Sequence, residues 1–117
     1  MRSFLLQKIK IMRARFFDDS LNNMFTICKK MLDQLEYTYN CRVDMPEECL
    51  LISGNKNDYN LVLLIKQARK GLIKVTVEIK MPIRSILDYE KKKKAEVSLL
   101  NSIEIFLQPT EEVELGI

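Results

Sequence analysis

The sequence predicts an α+β fold with an αβββαβ core, a mixed central sheet flanked by helices. Three observations predict it. An apolar stripe at helical spacing runs through residues 18–40. Three strand-like runs, separated by turn residues, fill residues 49–80. A second helical stretch follows Pro82 and leads into an alternating run at residues 102–107. Helices and strands in that order pack as layers around one sheet, and we expect the helices to cover both of its faces. A chain of 117 residues has the length of one domain. At 47% hydrophobic it can bury a modest core.

The elements follow from local patterns. Residues 1–17 read as a basic N-terminal arm: Leu5, Ile9, Met12 and Phe16 fit a helix stripe, while Lys8-Ile9-Lys10-Ile11 fits a strand equally well. The domain then spans residues 18–108. Asp18, Asp19 and Ser20 offer an N-cap and negative charge at the positive end of a helix dipole. Leu21, Met24, Phe25, Cys28, Met31, Leu32, Leu35 and Tyr39 form its apolar stripe. Residues 40–47, with Pro46, read as a loop. Cys49-Leu50-Leu51-Ile52-Ser53 is a short strand that ends in Gly54-Asn55-Lys56-Asn57-Asp58, a turn by composition. Leu61 to Lys66 is a continuous apolar run, the pattern of a strand buried on both faces. Gln67-Ala68-Arg69-Lys70-Gly71 turns the chain into a third strand, Leu72 to Lys80, which Pro82 ends because it has no N–H to donate. Residues 83–100 read as a helix with a polar middle. Ser102-Ile103-Glu104-Ile105-Phe106-Leu107 alternates as a strand does. Residues 109–117 read as an acidic C-terminal tail.

Charge and missing residues narrow the chemistry. The net charge is +3, and the positive charge is concentrated. Arg2, Lys8, Lys10, Arg13 and Arg15 stand in the arm without an acid, and Lys56, Lys66, Arg69, Lys70, Lys74 and Lys80 outnumber Asp58 and Glu78 in the hairpin region. With no histidine, Ser-His and Cys-His catalysis and histidine metal sites are excluded. Three glycines do not build a phosphate-cradling loop. Cys28 is expected in the core, and a Cys41–Cys49 disulfide would need an oxidising compartment. The start of the chain turns polar at Gln7 and Lys8, too soon for a signal peptide. No apolar run approaches transmembrane length. The expected location is cytoplasmic or nuclear, not secreted, with no membrane partner.

One constellation points to chemistry. On a strand, Thr76, Glu78 and Lys80 share the face opposite Val75, Val77 and Ile79. If the preceding strand pairs with it as a hairpin, Asp58 approaches Glu78. Two carboxylates and a lysine suit metal-dependent phosphodiester cleavage. Mg²⁺ takes one or two carboxylates together with water and substrate phosphate. The bound metal acidifies its water and offsets charge on the phosphate. The same residues also make an ordinary solvated strand face, with Asp58 as a turn residue capping its own backbone. Lys91-Lys92-Lys93-Lys94 reads as a solvated helix face or a phosphate contact.

The order of elements, with Asn57-Asp58 opening one strand and Val77-Glu78-Ile79-Lys80 in the next, resembles the PD-(D/E)xK nuclease superfamily, which has a restriction-endonuclease-like fold. Asn57 stands where that family places proline, and Asn60 shares a face with Asp58 as the other position for the acid. The resemblance implies Asp58 and Glu78 as ligands to Mg²⁺ or Mn²⁺, the Ile79 carbonyl as a further ligand, and Lys80 beside the attacking water. It implies a small endonuclease acting on nucleic acid, DNA more than RNA, as a homodimer or a subunit of a larger complex. Lys8, Lys10, Arg13, Arg15, Arg69, Lys70 and Lys74 would then hold backbone phosphates. The alternative is a non-catalytic protein-binding adaptor, inhibitor or assembly subunit, including a degenerate member of the same fold.

Overall fold

Ser20 starts the first helix as the sequence predicts: its backbone is extended, and its hydroxyl accepts the Asn23 amide at 3.2 Å. Asp19 reinforces the cap by accepting from the Ser20 N–H and the Asn23 side-chain amide. The computed structural model describes residues 13–44, 49–56 and 59–107. In chain order these form β1 (Arg13–Asp18), α1 (Leu21–Gln34), β2 (Thr38–Asp44), β3 (Cys49–Lys56), β4 (Tyr59–Arg69), β5 (Leu72–Lys80) and α2 (Ile86–Leu107). Most of the basic arm, with Lys8 and Lys10, the acidic tail and Asp58 lie outside the described residues.

The fold is α+β, with one five-stranded sheet in the order β1-β5-β4-β3-β2. Every neighbouring pair is antiparallel, which replaces the expected mixed sheet. The observed order is βαββββα where αβββαβ was expected. Three local differences account for this. Arg13–Asp18 pairs along β5, so the boundary between arm and domain at residue 17 falls inside a strand. Residues 38–44, expected within helix and loop, form an edge strand against β3. Residues 102–107, expected as a strand, continue α2.

Both helices lie on one face of the sheet. Leu50 and Ile52 of β3, Leu61, Leu63 and Ile65 of β4, and Ile73, Val75, Val77 and Ile79 of β5 join Phe17 in a single core. Met24, Ile27, Cys28, Met31 and Leu32 of α1 and Leu99, Leu100 and Ile103 of α2 cover them. The β4 run is therefore buried on one face only, not on both. Its buried residues alternate with half-exposed Val62 and Leu64, which line a face that neither helix covers. Gly71 sits at φ 81° in the turn between β4 and β5, a backbone conformation that costs glycine nothing.

The three cysteines are free. Cys41 pairs in register with Ile52 and Cys49 with Asp44, so their side chains fall on opposite sheet faces. Cys41 is exposed, whereas Cys28 and Cys49 are buried. Titration with a thiol reagent is expected to count Cys41 alone in the folded chain and all three in denaturant. Burial pushes the Cys28 thiol up from 9.0 to about 12. Between those values the unfolded chain releases this proton and the folded chain keeps it. The contribution is thus fully present below pH ~9 and is lost as pH rises toward ~12, at about 1.4 kcal/mol per pH unit. Urea unfolding on either side of pH ~9 should show that fall in the wild type and a smaller one in Cys28→Ala. Equal falls in both proteins would uncouple this thiol from alkaline stability.

Candidate functional site

The strand pairing places Glu78 and Lys80 on the helix-free face of the sheet, as their alternation predicts. Glu78 is half-buried and Lys80 exposed. Opposite Glu78 on β4 stands Val62, and opposite Lys80 stands Asn60. The described surroundings of the Glu-x-Lys motif therefore hold one carboxylate, the Asn60 amide, the Thr76 hydroxyl and aliphatic side chains. Among the described residues no three His, Cys, Asp or Glu side chains come together as a metal-binding group. The Ile79 carbonyl, expected as a metal ligand, accepts the Lys92 ammonium at 2.8 Å.

That contact belongs to a charged cluster the sequence does not announce. Lys92 and Glu96, one turn apart on α2, are 5% and 0% exposed and form an ion pair. Glu96 Oε2 also accepts the Ile79 N–H at 2.9 Å. The described pairing of β1 with β5 ends at Arg13 and Val77. Just beyond it, Lys92 and Glu96 satisfy both main-chain groups of Ile79, where a strand neighbour would otherwise be needed. Arg13 Nε lies 3.8 Å from Glu96 Oε1, and neither atom makes a hydrogen bond. Lys92 precedes Glu96 in the chain, the weaker orientation for an i,i+4 pair on an exposed helix. Its place is explained by the sheet edge it caps. A signal was present in the sequence: stepping back from Ile103 and Leu100 at helical spacing leads to Glu96 and then Lys92.

The cations assigned to phosphate contacts divide into two groups. Arg13 and Arg15 face α2. Arg15 donates to Glu104 Oε1 at 2.7 Å and to Asn101 Oδ1 at 2.9 Å, so both arginines of β1 tie the sheet to the helix. Arg69, Lys70 and Lys74 instead stand exposed around the turn between β4 and β5. Lys66 joins them, directly opposite Lys74 on the helix-free face. Among the described residues, none of these four makes an ion pair or a side-chain hydrogen bond. Two like charges directly opposite across a strand pair destabilise it. Beside Lys74 on β1 stands Phe16, 54% exposed, with its neighbour Phe17 buried in the core.

No family model matches the chain, and no curated protein is similar to it in sequence. Among the described residues, no helix is long and apolar enough to cross a membrane.

Proposed function

We propose that the chain is a non-catalytic nucleic-acid-binding module that uses the helix-free face of its sheet at the β4–β5 end. The observation that carries this reading is the set of four exposed cations, Lys66, Arg69, Lys70 and Lys74, which have no ion pair among the described residues, with Lys66 and Lys74 held opposite one another. A phosphate backbone supplies the opposite charge, and the counterions it releases drive association. Besides Glu78, two acids of the described strands share that face: Asp18 stands in register with Leu72, and Asp44 with Cys49, the β3 partner of Lys66. Asp19 is engaged in capping α1.

The endonuclease reading, with a restriction-endonuclease-like fold, keeps Asp58, Glu78 and Lys80 as its site and Mg²⁺ or Mn²⁺ as its cofactor. The amide of Asn60 opposite Lys80 and the aliphatic Val62 opposite Glu78 favour binding without cleavage. One experiment separates the readings. Labelled DNA is titrated with protein in EDTA and again in Mn²⁺, with fluorescence anisotropy and gel analysis of the same samples. Binding is expected in both buffers, with intact DNA and a log K that falls by about 0.7–0.9 per phosphate contacted for each tenfold rise in salt. Lys66→Glu/Lys74→Glu should abolish it. Mn²⁺-dependent cleavage lost in Glu78→Ala would establish the endonuclease instead, and salt-independent or absent binding would sink the nucleic-acid reading.

A further inference from the structure

We infer that this face takes a single strand, with a backbone phosphate between Lys66 and Lys74 and an unpaired base stacked on Phe16. The inference rests on the nucleic-acid reading above and names its substrate class. Phe16, Lys74 and Lys66 lie in one row across β1, β5 and β4, on adjacent strands about 4.8 Å apart. An aromatic ring and two ammonium groups are therefore fixed side by side by the register of three strands. Phe16 adds nothing to the core, which Phe17 fills from the same strand. At 54% exposure the Phe16 ring presents apolar surface to water beside the two ammonium groups. The next row holds Leu64, Thr76 and Ala14, small or aliphatic groups that leave the face in low relief.

Charge selects a polyanion, and the ring selects among polyanions. In a duplex the bases stack on one another and present no face to a protein ring, whereas an unpaired base stacks on an aromatic side chain with little regard to sequence. A phosphate between Lys66 and Lys74 also relieves the repulsion between them. Glu78 lies further along β5 toward Lys80, and Asp18 lies on the other side, toward the turn. Neither stands between the ring and the two lysines.

The chain contains no tryptophan, so Phe16→Trp places a fluorescent reporter at this site alone. The full chain carrying Phe16→Trp is titrated with a single-stranded oligonucleotide and with the duplex of the same sequence. Phe16→Leu and Lys66→Gln/Lys74→Gln are followed by anisotropy, and thermal melts check that each variant folds. The single strand is expected to quench the indole and bind about tenfold or more tighter than the duplex, and Phe16→Leu to lose about tenfold on the single strand only. Lys66→Gln/Lys74→Gln should weaken both ligands and flatten the salt dependence. Equal affinity for duplex, no quenching and a silent Phe16→Leu would overturn the stacking inference and leave the nucleic-acid reading standing. No binding of either oligonucleotide would overturn both. Lysine-dependent binding to phosphatidylserine vesicles in place of oligonucleotides would assign the face to a membrane surface.

Discussion

Glu96→Ala is expected to remove about 3–5 kcal/mol of folding stability, the loss typical when one partner of a buried ion pair is deleted. The Lys92 ammonium would remain 5% exposed, with the Ile79 carbonyl but without its counter-charge. The Ile79 N–H would lose its acceptor, for a further penalty of about 1–3 kcal/mol unless water enters. Against a total stability of about 5–15 kcal/mol for a domain of this kind, that is a large fraction. Glu96→Gln should cost less, because the amide oxygen can still accept from Ile79. Lys92→Met/Glu96→Leu removes both charges and fills the space with apolar atoms, so it is expected to lie much closer to wild type than Glu96→Ala alone. Urea unfolding of the four proteins at neutral pH reads these differences as shifts in midpoint at constant slope. A Glu96→Ala loss below about 1 kcal/mol would show that water reaches the cluster in solution. The comparison also separates stability from specificity: if the apolar pair matches wild type, the cluster's distinctive contribution is to occupy the edge of β5 beyond β1.

The parts of the fold legible in the sequence are those where one signal dominates. The stripe of α1 begins beside a cap residue, and β5 alternates without interruption between Ile73 and Ile79. The turn between β4 and β5 was visible in its Arg69-Lys70-Gly71 composition, although β4 runs into the start of it. The edge strands were harder to read. On β1 the inward positions at Arg13 and Arg15 are filled by arginines that pair with acids of α2, so a strand packed against a helix resembles a basic arm. On β2 the run Thr38-Tyr39-Asn40-Cys41-Arg42 carries little apolar pattern, because an edge strand beside a small helix layer needs little burial. The polar face of β5, with Glu78 and Lys80, was legible because alternation alone fixes it. The cluster at Glu96 is masked by composition, because Lys92 sits among three other lysines, and only the helical spacing back from Ile103 and Leu100 distinguishes the buried one. In the sequence Phe16 fits a helix stripe of an arm that fits a strand equally well, and it is one of the aromatics interleaved with the arm's basic residues. Only the pairing with Lys74 shows that it stands on the open face.

The end of α2 supplies the sharpest test of periodicity. Ser102-Ile103-Glu104-Ile105-Phe106-Leu107 alternates, and a strand would put Ile103 and Ile105 on one face. In a helix, two residues apart is about 200° of rotation, nearly opposite sides. The structure has Ile103 fully buried and Ile105 67% exposed. Ile103→Ala is therefore expected to cost about 2–5 kcal/mol, the transfer free energy of the lost methylenes plus the cavity left against Leu99, Leu100 and the sheet. Ile105→Ala should change stability by less than about 0.5 kcal/mol, and the better helix propensity of alanine favours a slight gain. The two variants have the same composition and differ only in where the substitution falls, so denatured-state effects largely cancel between them. A matched pair of urea titrations reads the difference directly. Equal losses at the two positions would overturn the helix at residues 102–107 and restore a strand there. A difference of several kcal/mol fixes α2 as the element whose buried stripe runs through Ile103 and Leu99 to Glu96 and Lys92, the two charges that cap the β5 edge.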